Sequence, residues 1–298
     1  MSKSIVHING RELTLSNLDK DLYPPLGFTK ARVLEYYGRM ARFMLPHLRE
    51  RAVTLKRYPD GAQEEFFFEK RCPEHRPAWL KTAEVRHGED CLTACVVDDL
   101  AALIWVENLA SIELHVPLSR ADSPGTPDSV VFDLDPGEGA GVSHCARVAL
   151  ILKVLLADMK LSSWVKTSGR KGLHVYAPLN SKEADFEKTR GFSKAVAEIL
   201  QKNYPDLVTA RVNKEDRKGK VFINWAQNDA SKTMVCVYSL RAGEKPAVSC
   251  PLEWEELEAA ERNAGKLEIS PSEAVRRAGR KGDLFRELVG KKQGLPFL

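Results

Sequence analysis

Val131-Phe132-Asp133-Leu134-Asp135-Pro136-Gly137 is the stretch on which the reading of this chain turns. Its apolar start reads as a strand, and side chains in a strand alternate faces with a period of two. Asp133 and Asp135 therefore point one way while Leu134 points into packing, and Asp-Pro-Gly then ends the strand in a turn. Paired carboxylates, completed by substrate phosphates and water, are the usual protein site for Mg2+ or Mn2+, because these hard cations prefer oxygen. The plain alternative is a solvated strand end.

Downstream, Val142 to Leu161 carries a continuous 3.6-residue apolar period and predicts a helix packed on that strand. Trp164 to Thr167 and Leu173 to Pro178 read as strands joined by Ser168-Gly169-Arg170-Lys171-Gly172. With His174, this turn offers a hydroxyl, glycine-freed backbone amides, a fixed positive charge and an imidazole, which together suit a triphosphate. A basic hairpin turn with no ligand is the alternative, and the preceding pair of aspartates weighs against it.

Upstream, Thr29 is placed to cap a helix over Lys30 to Leu48, and Ala52 to Arg57, Glu65 to Glu69 and Leu92 to Val97 read as strands. Arg86 to Asp90 is a polar turn, Asp99 to Asn108 a short helix, Ser111 to Val116 a strand and Ser123 to Pro127 a loop. Further on, Ala184 to Asn203 reads as helix, and Val208 to Val212, Val221 to Trp225 and Met234 to Ser239 as strands. Trp254 to Arg262 and Pro271 to Val289 read as charged helices. Helix and strand runs are mixed rather than strictly alternating, so the expected class is α+β, with mostly antiparallel sheets flanked by helices in two closely packed subdomains. The whole chain, residues 1–298, reads as one catalytic domain with no linker or repeat.

Composition narrows the class. The chain is 43% hydrophobic and 29% charged, has no apolar run of bilayer length and opens without the apolar segment of a secretory signal, which predicts a soluble cytoplasmic protein and no membrane partner. Six cysteines lack the density of a disulfide scaffold, which fits a reducing compartment. Cys72, His75, His87, Cys91 and Cys95 could supply a tetrahedral zinc site, but their spacing is not the paired kind that such sites show. The net charge of +4 says little; its distribution says more. Lys20, Lys30, Lys56, Arg57, Lys70 and Arg71 are interleaved early with Tyr23, Tyr58, Phe66, Phe67 and Phe68, a mixture that suits phosphate attraction and base stacking.

Several blocks, in order, resemble the polymerase domain of bacterial ligase D and its stand-alone relatives, in the archaeo-eukaryotic primase superfamily. They are Val130 to Gly137, Thr167 to His174, Lys220 to Asn228 and Tyr238 to Arg241, preceded by Asp19 to Pro24, Thr29-Lys30, Lys56 to Pro59, Phe67 to Lys70 and Glu113 to Pro117. The resemblance implies a primase-polymerase fold and template-directed nucleotidyl transfer in non-homologous end joining, near the nucleoid. It implies ribonucleoside triphosphates as favoured substrates and two Mn2+ or Mg2+ ions. Its DNA substrate has breaks or gaps bearing a 5′-phosphate, and a DNA ligase and an end-binding protein are its partners. On this resemblance Asp133 and Asp135 hold the metals, and Ser168, Lys171, His174 and Arg241 hold the triphosphate. His115 lies near sugar or phosphates and Lys56 adds charge. Lys20 and Lys30 grip the 5′-phosphate, and Phe67 or Phe68 stacks on the template base. Apart from the resemblance, the charged loop of Arg217 is expected to move on DNA binding and help organise the metal site, an ordinary solvated turn being the alternative.

The chain departs from the family at Asn224, where a third metal-binding aspartate is expected. An amide keeps the size and loses the charge, so the expectation is nucleotide binding with one metal and poor turnover. The alternatives are a non-catalytic DNA-end-binding module, a primase that starts chains unaided, and a haloacid-dehalogenase-type phosphatase. The last of these needs threonine or valine where Gly137 stands.

Overall fold

The computed structural model describes residues 3–24, 26–88, 90–263 and 267–296. It divides into two units: Met1–Pro117 with Thr233–Ser249 and Ile269–Asp283, and Leu118–Lys232 with Cys250–Glu268 and Leu284–Leu298. Both are α+β, as expected.

The second unit is built on a six-stranded sheet in the order Val208–Thr209, Val221–Asn224, Ser129–Pro136, Leu173–Pro178, Trp164–Thr167, Pro251–Leu252. The pair Val208–Thr209 and Val221–Asn224 is parallel and the other pairings are antiparallel. The strand Ser129–Pro136 is central, and its stretch Val130 to Leu134 is buried on both faces, which is why it reads as a nearly continuous apolar run. Helices Val142–Asp158 and Phe186–Asn203 pack on this strand. Beyond its pairing with Val221–Asn224, the strand would leave the backbone of Val131 unpaired. The buried amide of Asn228 closes that gap: Val131 N–H donates to its Oδ1 at 2.9 Å and its Nδ2 donates to Val131 O at 2.7 Å.

The first unit has a sheet in the order Met234–Val235, Glu113–Val116, Ala52–Arg57, Asp90–Val96, Thr82–His87, with Phe67–Glu69 also paired to Ala52–Arg57. Helices Lys30–Leu48, Leu100–Glu107 and Pro271–Lys281 complete it.

The differences from expectation have local causes. The hairpin Lys3–Ile8 with Arg11–Ser16 was not expected, although its Asn9-Gly10 loop, with φ of 51° and 75°, is the sequence signature of a tight two-residue turn. Thr29 stands at the cap position, but its hydroxyl makes no capping bond. Thr82–His87 is a strand, so the expected polar turn shrinks to the connection at Gly88, with φ of 66°. The strand expected to reach Ser239 stops at Val235, and the turn that follows places Tyr238 at φ 65°. Gln201 accepts from Ala210 N–H at 2.8 Å and so replaces a ladder partner, which halts the strand expected to reach Val212. The helix expected over Pro271 to Val289 stops at Lys281, where Gly282 turns the chain with φ of 72°.

The zinc reading is overturned. Cys72 and Cys95 form a disulfide, with Cα atoms 4.8 Å apart, because Cys72 N–H donates to Thr93 O at 2.7 Å and lays the two segments side by side. The cysteines are therefore not all free thiols, and among the described residues no group of three or more His, Cys, Asp or Glu side chains could hold a metal. The side chain of His87 lies outside those described. Among them, no helix is long and apolar enough to cross a membrane.

Candidate functional site

Four neighbouring strands of the second unit carry one cross-sheet row. Asn224 stands opposite Asp133, Asp133 opposite His174, and His174 opposite Lys166. The side chains connect in the same order. Asn224 Nδ2 donates to Asp133 Oδ2 at 3.3 Å, His174 Nε2 lies 3.3 Å from Asp133 Oδ1, and Lys166 Nζ lies 2.8 Å from His174 Nδ1. Gln227 Nε2 also reaches Asp133 Oδ2, at 3.5 Å.

Asp135, two residues along on the same face, is the frustrated member of the site. Burial and the neighbouring charge of Asp133 push its carboxyl up to about 7, and Arg217 only partly offsets them. A buried carboxylate crowded by a half-buried one is what a hard divalent cation would relieve, so the donor set fits such an ion. The third position fits less well. A carboxylate only accepts, so it is the amide nitrogen of Asn224 that faces Asp133, where an aspartate would bring another oxygen anion.

The turn from Ser168 to Gly172 is held tightly against this row. Gly169 takes φ of 71°, and a Cβ on Gly172 would lie 2.2 Å from the carbonyl oxygen of Leu134, so only glycine lets the turn approach the aspartate strand. One expectation is corrected here. The amides of Arg170 and Gly172 are not free for a ligand, since both donate to Ser168 Oγ, at 3.2 and 3.1 Å. Ser168 thus shapes the turn, while the exposed Lys171 points its charge to solvent. His174 does not stand free either, with each ring nitrogen engaged in the row.

Arg217 lies on a short 3₁₀ turn, Glu215–Arg217, and packs its guanidinium 3.8 Å from the centre of the Phe222 ring. A Cβ on Gly137 would meet the Arg217 carbonyl oxygen at 1.8 Å, so the glycine of the Asp-Pro-Gly turn is what admits this loop.

In the first unit a different constellation gathers Lys56, His115 and Arg241. Its centre is Glu113, fully buried, which the sequence reading did not single out. Glu113 accepts from His115 Nε2 at 2.9 Å, Arg241 NH1 at 2.9 Å, Tyr58 OH at 3.1 Å and Ala242 N–H at 3.1 Å, with Lys56 Nζ at 3.9 Å. Burial pushes its carboxyl up; the His115 hydrogen bond and the charges of Arg241, His115 and Lys56 outweigh that and hold it at about 2. The same burial, with Arg241 and Lys56 alongside, pulls His115 below the usual histidine range despite Glu113.

The aromatic residues divide by strand alternation. Phe68 joins the Glu113 side, 5.9 Å from His115 by ring centres, and with Phe66 and Tyr58 it surrounds Lys56 Nζ at 5.4, 3.7 and 5.1 Å. Phe67 faces the other way, under Arg57 at 5.1 Å. Lys30 Nζ donates to Ser16 O at 2.6 Å, and burial, followed by the charges of Arg57 and Lys20, lowers its pKa to about 8. Lys20 pairs with Asp60 at 3.0 Å.

Residues 29–285 match the model of the LigD primase-polymerase domain. The chain belongs to this family. Among its curated relatives, LigD of Mycobacterium tuberculosis, named a multifunctional non-homologous end joining DNA repair protein, is 39% identical over 93% of this chain and 37% of its own length. LigD of Mycolicibacterium smegmatis is 42% identical over 82% of this chain and 32% of its own. The chain thus spans about a third of the length of these relatives. The polymerase domain of M. tuberculosis Ligase D, solved in complex with DNA, superimposes with a TM-score of 0.88 at 38% identity, over 94% of this chain and 99% of that one.

Within this family fold, the sequence reading missed Lys166 and Glu113. Glu113 had a signal, since it lies two residues from His115 on one strand face. Lys166 had a subtler one: a lone lysine in the apolar strand leading into the turn.

Proposed function

We propose that this chain, acting as one catalytic domain, is a template-directed nucleotidyltransferase of DNA repair. It favours ribonucleotides and fills gaps and extends ends in non-homologous end joining. The observation that carries this reading is the cross-sheet row through Asp133, with Asp135 crowding it from two residues along the same strand, in a LigD primase-polymerase fold.

Asp133 and Asp135 would hold the divalent cations, Mn2+ or Mg2+, with two ions when the third position is acidic and one beside Asn224. Such ions supply positive charge to the phosphoryl oxygens and acidify the primer hydroxyl. This chain's own residues do the rest. Lys171 and His174 meet triphosphate oxygens, and Ser168 keeps the turn in shape for them. Lys56, His115 and Arg241, three basic groups around the carboxylate of Glu113, attract the anionic nucleotide. Lys20 and Lys30 take the 5′-phosphate across a gap, and Phe67 or Phe68 stacks on the template base; both rings are about half exposed, at 44% and 52%. The Arg217 loop would move on DNA binding, which suits a guanidinium whose Nε is buried without a hydrogen-bond partner. A DNA ligase and an end-binding protein are the expected partners, in the cytoplasm at the nucleoid.

Asn224 makes turnover poor on this reading, because its amide nitrogen occupies Asp133 where a metal-binding oxygen is needed. Extension of a gapped duplex, with and without the downstream 5′-phosphate and in Mg2+ or Mn2+, tests it. Asn224→Asp should raise nucleotide insertion at least about tenfold, corresponding to about 1.4 kcal/mol of barrier. No gain refutes the impairment, and no extension by either form refutes the polymerase. The engagement of Asn224 with Asp133 also favours a second reading, a DNA-end-binding module without catalysis. Tight binding to the phosphorylated gap, with no extension even by the Asn224→Asp variant, would select it.

A further inference from the structure

Lys166 is 1% exposed, in the middle of the strand Trp164–Thr167. A buried ammonium costs more than an apolar side chain of the same length, so packing alone does not explain it. Its position does. It is the next member of the row after His174, one strand further from Asp133, and its Nζ lies 2.8 Å from His174 Nδ1.

We propose that Lys166 is the positioning residue for His174. An ammonium can only donate, so Nδ1 must accept and the imidazole proton must sit on Nε2. That nitrogen lies 3.3 Å from Asp133 Oδ1, and a carboxylate can only accept, so the chain Lys166 to His174 to Asp133 runs donor to acceptor in one direction. The histidine is thereby held as a donor on the acid side of the sheet, which is the form a triphosphate oxygen requires. This last step rests on the reading of His174 as a triphosphate contact; the tautomer and ring orientation do not. Lys166 touches no reacting atom, and its role is to set which nitrogen of His174 does.

The test uses the full chain in EDTA, with ¹⁵N-histidine NMR assigned against a His174→Phe spectrum. The wild-type protein should show His174 as the Nε2–H tautomer with a hydrogen-bonded Nδ1. Lys166→Met should leave Nδ1 without its donor, seen as a shift of its ¹⁵N resonance while Asp133 keeps the proton on Nε2, and should weaken binding of inorganic tripolyphosphate and of ATP about tenfold. Lys166→Gln keeps a donor without the charge, so it should restore the hydrogen-bonded Nδ1 resonance and about threefold of the binding. Melting temperatures accompany each variant, and Lys166→Met should fold because it replaces a buried charge by an isosteric apolar chain. A Nδ1–H tautomer in the wild type, or an unchanged Nδ1 resonance in Lys166→Met, overturns the proposal, and the wild-type spectrum decides even if that variant fails to fold. Wild-type protein that shows the Nε2–H tautomer yet binds neither phosphate probe overturns the triphosphate reading alone.

Discussion

In the second unit two acids, Asp133 and Asp135, ride on one strand and crowd each other, whereas in the first unit one acid, Glu113, stands among Lys56, His115 and Arg241. The first arrangement is short of positive charge and the second of negative charge. Each is suited to a ligand of the opposite sign, a divalent cation in one case and a polyanion in the other. Their scaffolding differs too. The acid row is set by backbone pairing of adjacent strands, so its register is fixed wherever the sheet forms. The cationic cluster is gathered on the Glu113 side chain, and its order depends on that carboxylate remaining charged.

The sharpest way to break this contrast is to remove one carboxylate from each centre and compare signs. Glu113→Gln should destabilise the protein by about 3 kcal/mol at pH 7, since taking one partner from a buried ion cluster leaves its cations uncompensated. A carboxyl lowered from 4.5 to about 2 by folding contributes stability above about 4.5 that disappears as pH falls through about 2. The difference between wild type and Glu113→Gln should therefore shrink over that window in urea unfolding. A constant difference would show that Glu113 acts through shape and not charge.

Asp135→Asn should do the reverse. With divalent ions chelated, it should stabilise the protein by about 1–2 kcal/mol, because it removes one of two crowded like charges. Thermal unfolding in EDTA measures this, and a loss of stability would mean that the acids are not crowded.

The smallest expected effect concerns the lysines of the first unit. Lys30, with its pKa lowered to about 8, loses its charge as pH rises through that value. The advantage of a 5′-phosphorylated gap over an unphosphorylated one should fall about threefold between pH 7 and 9, by fluorescence anisotropy. Lys30→Met should make the preference small and independent of pH; an unchanged pH profile would remove Lys30 from phosphate binding.

What could be read in the sequence follows from range of interaction. The strands Ala52–Arg57, Trp164–Thr167 and Leu173–Pro178 and the helix Lys30–Leu48 lie where periodicity and punctuation place them. Asp133 and Asp135 share a face, as period two requires. The Asn9-Gly10 hairpin was legible and was overlooked. Two of the amides expected free in the Ser168 turn, those of Arg170 and Gly172, are taken by the serine hydroxyl, which folds back on its own turn.

By itself the sequence determined the long helices, the central strands, the acid pair and the family, since each depends on residues a few positions apart or on ordered blocks along the chain. Only the tertiary structure decided that Lys166 stands behind His174, that Asn224 offers its nitrogen to Asp133, that Glu113 gathers its cations, and that Cys72 bonds Cys95. These partners meet across strands and turns, and strand register and burial choose them; no local spacing does.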